Sequence, residues 1–294
     1  MNIGILSRST QLYSTRSLYM AARARGHWVS VIDHTRCSLV VDADRPTVLY
    51  DGKPLPPLDA IIPRIGASVT GLGAAIIHQF DQMGVISPTS AAALQVARDK
   101  LRSLQLLAAH HLPVPRTIMV GEAMSLPPIV EMLGGYPVVV KVLESTHGEG
   151  VSLAGNLGEL VQILNDHFYV YDRILLQEFI HEAEGADIRA LVVDGKVVAS
   201  MRRQALPGEF RSNLHRGASA VKVALKEEEQ LLVERVVAVL GIEVAGVDLI
   251  PSQHGPLVME VNASPGLEGI EGVTGVDVAG HIIRHLERKF KKNR

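Results

Sequence analysis

Cysteine is almost missing from this chain of 294 residues, and Cys37 stands alone. One thiol cannot form an internal disulfide, and there is no cysteine cluster to hold zinc. An excess of charge is missing too: 29 Lys and Arg face 31 Asp and Glu, for a formal net charge of −2. That balance leaves no electrostatic footprint for nucleic acid. The short basic ending, Glu287 to Arg294, reads as a solvated, frayed helix end rather than a nucleic-acid arm. No stretch of 18 apolar residues runs without a charge, so no membrane span is expected. The opening MNIGILSRSTQLYS lacks a basic segment followed by a long apolar run, which argues against a signal peptide and for a soluble cytoplasmic protein. No G-x-x-x-x-G-K-[ST] loop and no G-x-S-x-G elbow occurs, so a P-loop and a hydrolase triad both lack support.

What the chain does have is apolar mass. Hydrophobic residues make up 47% and charged residues 20%, enough for a sizeable core in two or three domains. In the first region, short apolar runs at Asn2–Leu6, Trp28–Asp33 and Asp59–Ile65 alternate with helical stretches at Leu18–Arg25 and Thr70–Met83. This spacing implies a parallel sheet with right-handed crossovers. Ser87–Ser90 then separates a helical segment running to His111, in which Asp99 suits the start of a new helix. Pro113 and Pro115 break it.

From Val114 to Gln177 the pattern reads strand, helix, strand, glycine loop, strand, helix, strand, with Val138–Leu143 and Arg173–Phe179 as strands and Leu157–Leu164 as a helix. In the last region, Ile188–Val193 and Val197–Arg202 flank Asp194-Gly195, a strong hairpin signal. A helix over Lys226–Leu240, strands at Gly246–Ile250 and Pro256–Val261, and a closing helix over Val276–Phe290 follow. The expected domains are 1–90, a helical connection 91–112, a central domain 113–180 and a C-terminal domain 181–294.

The strongest local feature is VMEVNASPG, Val258–Gly266. Residues two apart on a strand share a face, so Glu260 and Asn262 project together, and Asp248 lies on a second strand in GVDLI. Carboxylate and amide oxygens suit a hard cation such as magnesium, and burying two acids and an amide without one is costly. Each residue alone also reads as a strand-end or loop residue. Lys141 sits inside the apolar run VVVKVL and needs an anion unless it reaches the surface from an edge strand. Lys100, in RDKLRS, reads by itself as part of a solvated helix face.

The loop STHGEGV, Ser145–Val151, carries Gly148 and Gly150, which let backbone N–H groups approach a phosphate but also suit an ordinary turn. TGLGAAI, Thr70–Ile76, is a helix start and not a dinucleotide fingerprint. Arg202, Arg203, Arg211 and Arg216 crowd one polar stretch and suit bidentate binding of carboxylate and phosphoryl oxygens, a charged loop being the plainer reading. His281 and His285, four apart on the last helix, read as a solvated face.

Taken in order, Lys100, Lys141 with its glycine loop, the QEF segment, the hairpin, RSNLHRG, VDL and MEVNASPGLEGIE resemble the ATP-grasp superfamily. In detail the chain is similar to the RimK-type α-L-glutamate ligases over essentially its whole length, from ILSR at Ile5 and IPRIG at Ile62 onward. The resemblance implies an ATP-grasp fold of mixed α/β and α+β character. It has an N-terminal parallel-sheet domain, a central lid and a C-terminal catalytic half.

The resemblance also implies site roles. Lys100, Lys141, Gly148 and Gly150 would hold ATP phosphates. Glu178, Phe179 and Ile180 would form the adenine hinge, and Asp187 would meet the ribose side. Arg203 and Arg211, with Ser212 and Asn213, would contact phosphoryl or acyl-phosphate oxygens. Asp248, Glu260 and Asn262 would bind two magnesium or manganese ions. The implied substrates are ATP, L-glutamate and a glutamate-ending peptide or small-subunit ribosomal protein, with ADP and phosphate as products. A homo-oligomer is compatible with this, and neither nucleic acid nor membrane is a partner. Ser145 and His147 stand where the family usually has Gly and Gln, and Phe179 where it has Tyr. These departures bear on acceptor preference and turnover.

Overall fold

The amphipathic stretches at the N-terminus need an apolar face to cover, and a small parallel sheet provides it. The computed structural model describes residues 1–121, 124–142, 150–168, 173–214 and 217–292. Strand β1 (Asn2–Leu6) leads through helix α1 (Tyr13–Ala24) to β2 (Trp28–Ile32). Helix α1 begins well before the expected Leu18. No side chain caps its start at Leu12, so the sequence carried no signal there.

Strands β3 (Cys37–Val40), β4 (Thr47–Tyr50) and β5 (Lys53–Pro54) form an antiparallel sheet that the sequence reading does not contain. They are too short to show an alternation. Strand β6 (Ala60–Pro63) then pairs with β1, and both neighbours of β1 run parallel to it in the order β2-β1-β6.

Helices α2 (Thr70–Gln82), α3 (Ala91–Arg98) and α4 (Lys100–Ala109) follow. The expected break at Asp99 is real: its carboxylate accepts from the Arg102 N–H at 3.0 Å and starts α4. The central unit comprises β7 (Thr117–Val120), α5 (Leu126–Met132), β8 (Val138–Val142), β9 (Val151–Ala154), α6 (Leu157–Phe168) and β10 (Ile174–Glu178). Its antiparallel sheet has the order β7-β10-β8-β9. One face of this sheet buries Val138, Val140 and Val142 against Leu160 and Leu164 of α6 and Val130 of α5.

The last unit comprises β11 (Ala186–Val193), β12 (Lys196–Gln204), β13 (Ser219–Lys222), α7 (Glu227–Leu240), β14 (Val244–Ser252), β15 (Gly255–Asn262), α8 (Glu268–Thr274) and α9 (Val278–Lys292). Its antiparallel sheet runs β13-β12-β11-β14-β15. The β11–β12 turn places Asp194 at φ 57° and Gly195 at φ 70°, the left-handed pair that a two-residue hairpin turn requires.

Alternation decides which core each residue joins. On β1, Ile3 and Ile5 pack with Leu18 of α1 and Ile282 and Ile283 of α9, while Leu6 packs with Ile77 and Phe80 of α2. On β11, Leu191 and Val193 join the α9 cluster, while Ala190 and Val192 meet Val233, Val236 and Val237 of α7. Helix α9 thus lies under both the N-terminal and the C-terminal sheet. Each aliphatic side chain fully buried in this way contributes at most about 1.5–3 kcal/mol.

The solvated histidine face is overturned at His285. It is buried, with Nε2 2.8 Å from Glu243 and Nδ1 3.2 Å from Asp194 at the hairpin turn. Charged neighbours hid an inward-facing position on an otherwise amphipathic helix. Among the described residues no helix is long and apolar enough to cross a membrane.

Candidate active site

Register builds the site. Directly opposed residues of an antiparallel pair project to the same face. Arg203 opposes Asp187, Arg189 opposes Asp248, Asp248 opposes Glu260, and Gly246 opposes Asn262. Asp187, Arg189, Arg203, Asp248, Glu260 and Asn262 therefore line one face of the C-terminal sheet, across four strands. Gly246 sits under Asn262 with no room to spare, since a Cβ there would meet the Pro265 ring at 3.0 Å.

The acids and arginines of that face pair tightly. Arg189 donates through Nε and Nη2 to both oxygens of Asp248, at 2.7 and 2.6 Å. Arg203 donates to Asp187 through Nε at 2.7 Å and through Nη2, which also reaches Asp248 at 3.0 Å. Burial is nearly complete, with 1% of Asp248, 2% of Asp187 and 4% of Arg203 exposed.

Burial alone would push the Asp248 carboxyl up, but Arg189 and Arg203 outweigh it and hold the group at about 2. Burial, opposed by Arg203, pushes Asp187 up. For Arg203 burial acts downward, and the two carboxylates reverse it and raise the guanidinium above its ordinary value.

Lys141 of β8 approaches this face from the central sheet. Burial draws its ammonium down to about 8, Glu260 opposes that shift, Lys100 adds to it, and Asp248 opposes it. The four groups are thus electrostatic neighbours. Lys141 makes no hydrogen bond or ion pair with the described residues. Lys100 stands in the first turn of α4, directly after the Asp99 cap. The structure brings together the two lysines and the two strand acids that the sequence singled out.

Gly150 closes the base of the glycine loop, its carbonyl accepting from Val142 N–H at 2.9 Å. Gly148, Ser145, His147 and Arg216 lie outside the described residues. Arg211 spans the two units: Nη1 donates to the Val151 carbonyl at 3.1 Å, and Nε and Nη2 donate to Glu209 at 3.0 and 2.7 Å. Ser212 is buried and hydrogen-bonded to Asp187, while Asn213 stays partly exposed. At the hinge, the Glu178 carboxylate accepts from the Arg116 N–H at 2.7 Å. The Phe179 ring meets His181 edge-on at 4.9 Å and Phe210 at 6.4 Å. Ile180 follows, its carbonyl accepting from the Ala183 N–H at 3.3 Å.

Three residues were missed by sequence reasoning. Arg189 alternates with Asp187 on β11, a spacing that could have suggested a shared face, but its pairing with Asp248 depends on a register that spacing alone does not reveal. Arg64 and Arg98 lie half-buried beside the same face, and the Arg98 charge feels Glu260. The apolar run AIIPRI around Arg64 was the available signal, of the same kind as that around Lys141.

The face can hold a hard cation. Asp248, Glu260 and Asn262 offer oxygens only. Among the described residues no group of three or more His, Cys, Asp or Glu could hold a metal ion, so here the Asn262 amide oxygen would have to complete the set. Asn262 Nδ2 and the nearby Ser264 Oγ are buried with no partner among the described residues, a state that ordinarily costs about 1–3 kcal/mol for each group. Glu260 forms no ion pair with the described residues, which leaves a carboxylate on this face open to a dication.

Comparison with known proteins places these features in a lineage. Residues 1–94 match the RimK PreATP-grasp domain, and residues 97–286 match the RimK-like ATP-grasp domain. "Probable alpha-L-glutamate ligase 2" of Shewanella denitrificans is 49% identical over 291 residues, 99% of this chain and 97% of that protein. "Probable alpha-L-glutamate ligase" of Pseudomonas paraeruginosa is 50% identical over 288 residues, 98% and 96% of the two chains.

Among solved structures, the ATP-grasp ligase PsnB complexed with a precursor variant, Mg and ADP superposes with TM-score 0.75 at 19% identity, covering 98% of each chain. A RimK domain protein of Sphaerobacter thermophilus gives TM-score 0.74 at 22% identity, covering 97% and 99%. At these identities the structural likeness establishes the ATP-grasp fold.

Proposed function

The chain belongs to the RimK-like ATP-grasp family of ATP-dependent ligases, and from that premise we propose that it is an α-L-glutamate ligase. In this reading it joins the amino group of L-glutamate to the C-terminal carboxylate of a glutamate-ending acceptor. The single observation that carries the proposal is Asp248 opposite Glu260 in the β14–β15 register, with Lys141 of the central sheet within electrostatic reach of both. A cation and a set of oxygen ligands in reach of one another suit phosphoryl transfer to a carboxylate.

The chemistry follows from what a carboxylate lacks. It is a poor electrophile, so one of its oxygens attacks the γ-phosphorus of ATP, ADP leaves, and an acyl phosphate forms. A neutral amine then attacks the acyl carbon, the amide bond forms, inorganic phosphate departs, and the amine gives up a proton. Magnesium or manganese, as two ions held by Asp248, Glu260 and Asn262, would neutralise phosphate charge.

In this reading Lys141 and Lys100 hold phosphate oxygens and Gly150 offers a backbone N–H group, while Gly148, given the same role, lies outside the described residues. Glu178, Phe179 and Ile180 present backbone atoms to the adenine, with Asp187 on the ribose side. Arg203 keeps Asp248 ionised and oriented. Arg211, Ser212 and Asn213 stand at the phosphoryl end, where Arg211 ties the sheet to the glycine-loop strand. A closed central unit excludes water from the acyl phosphate. The acceptor in this reading is the C-terminus of a small-subunit ribosomal protein.

The test is incubation with ATP, magnesium, L-glutamate and a glutamate-ending peptide. Mass spectrometry should show the peptide growing by whole glutamate residues, and chromatography should show ADP as the spent nucleotide. AMP as the main product would overturn the acyl-phosphate route, and preferential addition of another amino acid would overturn the glutamate assignment.

A further inference from the structure

Three guanidinium groups gather where strand β6 ends. Arg64 is the first residue past the strand, and its Nη2 donates to the Pro265 carbonyl at 2.8 Å. Arg98, the last residue of α3, donates through Nη2 to the Ile65 carbonyl. Arg8 lies over Gly66, where an added Cβ would stand 3.3 Å from Arg8 Nη2. Among the described residues none of the three has a carboxylate within ion-pair distance. Among the described residues Arg64 and Arg98 hydrogen-bond only to backbone carbonyls. The Arg98 Nε is buried without a partner.

Such a cluster places like charges together with no acid among the described residues to offset them. Burial pulls Arg64 down to about 10, and the Arg98 charge adds to the shift. Burial likewise lowers Arg98, with Glu260 opposing. Elsewhere on this molecule buried arginines are matched with acids, as Arg189 and Arg203 are. Half-buried guanidiniums with no acid beside them among the described residues suit the binding of an anion.

Topology points the same way. The chain leaves β1 for β2 on one side and returns as β6 on the other, so the carboxyl ends of these parallel strands frame a switch-point crevice. Arg8 follows β1, His34 follows β2 with both ring nitrogens buried and unpartnered, and Arg64 follows β6. The crevice opens toward the metal-binding face, because Pro265 belongs to the loop that follows Asn262 and Arg98 senses Glu260.

We propose that Arg8, Arg64 and Arg98 form a carboxylate-binding subsite that holds a glutamyl substrate against the Asp248–Glu260 face. The inference rests on the ligase reading above and adds a substrate site to it, contributed by the N-terminal sheet. It also relocates the substrate-binding arginines. Arg203 and Arg211, which the sequence offered for that task, are engaged with Asp187, Asp248 and Glu209, whereas Arg64 and Arg98 pair with no acid among the described residues. A guanidinium fork matches a carboxylate bidentately and rejects an uncharged amide, which leaves its donors unpaired.

The test uses the full chain and the variants Arg98→Met, Arg64→Met, Arg8→Met, Arg64→Lys and Arg98→Lys. KM is measured separately for L-glutamate, for a tetrapeptide ending in glutamate, and for ATP, alongside Tm. Arg98→Met and Arg64→Met are expected to raise KM for one of the two carboxylate substrates by ~10- to ~100-fold, the loss expected for a charge-assisted hydrogen bond, with KM for ATP within about twofold of wild type. The substrate whose KM moves identifies the source of the carboxylate, free amino acid or peptide end. The Lys variants should recover part of the loss. Tm should hold or rise in the Arg64→Met and Arg98→Met variants, because a half-buried cation with no paired acid has been removed.

Unchanged KM for both carboxylate substrates, or a rise confined to ATP, would overturn the subsite. A fall in Tm with unchanged KM would assign the arginines a purely structural role and overturn it equally. If the wild-type chain ligates no glutamate, the functional reading fails on its own. Calorimetric titration of wild type and Arg98→Met with the same glutamate-ending tetrapeptide then decides the subsite, which equal affinities would refute.

Discussion

Asp248 and Glu260 face each other across two strands yet do different work. Asp248 is locked between Arg189 and Arg203, while Glu260 makes no hydrogen bond or ion pair with the described residues. Removing a member of the locked network strands its partners. In Arg203→Met the Asp187 carboxylate, 2% exposed, loses the guanidinium that holds it. Stability should fall by about 3–5 kcal/mol, read as a shift of the urea midpoint with unchanged slope.

Glu260→Gln removes charge from an open position. Its Tm should stay within about 2 °C of wild type, while turnover falls at least ~100-fold because a charge-stabilising group at the phosphoryl centre is lost. A Glu260→Gln protein that keeps most of its activity would remove Glu260 from the ligand set. At this scale the common face of Glu260 and Asn262 was legible from their spacing of two on one strand, while Asp248 joins it through the β14–β15 register. Arg189 was not, because its partner lies 59 positions away and only the sheet register brings them together.

The segment after β12 shows how an element carries a pH dependence. The Glu209 carboxylate is held at about 2, first by its hydrogen bond to the Arg211 side chain, with burial opposing and backbone N–H groups of Arg211 and Phe210 assisting. The folded value lies below the ordinary 4.5, so the stabilisation is fully present above pH 4.5 and is lost as pH falls toward 2. Urea midpoints measured from pH 6 to pH 3 should therefore fall more steeply in wild type than in Glu209→Gln, and the gap between the two curves should narrow toward the acid end. Parallel curves would show that the carboxylate contributes nothing to folding.

Elements of this kind escape a sequence reading for identifiable reasons. Residues 204–213 have no period to detect. The sheet β3-β4-β5 is built of runs of two to four residues, below the length at which alternation becomes visible. The β11–β12 hairpin was legible, because Asp194-Gly195 supplies the two left-handed positions its turn demands. The burial of His285 was hidden for the opposite reason, its acid partners coming from the hairpin turn and from Glu243 rather than from its own helix.

At the scale of the molecule, three sheets divide the labour. The C-terminal sheet carries Asp248, Glu260 and Asn262, the central sheet carries Lys141, and the N-terminal sheet ends in Arg8 and Arg64. Apolar clusters weld the N-terminal and C-terminal sheets through α7 and α9, but the central sheet buries its own separate core. Among the described residues, Arg211 of the segment after β12 donates to the Val151 carbonyl of the central sheet, a polar tie.

A nucleotide that engages Lys141 on one side and the acid face on the other would add the missing connection, so binding should stabilise the whole chain. At a concentration of 100 times Kd the gain is about 2.7 kcal/mol, which for a chain of this size raises Tm by roughly 5 °C. The expected result is that magnesium and ADP together raise Tm, that ADP with EDTA raises it far less, and that Lys141→Met and Glu260→Gln each abolish most of the combined shift while leaving the ligand-free Tm nearly unchanged. Lys141→Met should even be neutral or slightly stabilising without nucleotide, because a half-buried ammonium drawn down to about 8 is replaced by an apolar chain of similar length. A shift that survives Lys141→Met intact would mean that the nucleotide does not bridge the two sheets through β8, and a shift equally large in EDTA would mean that the Asp248–Glu260 face binds no cation with it.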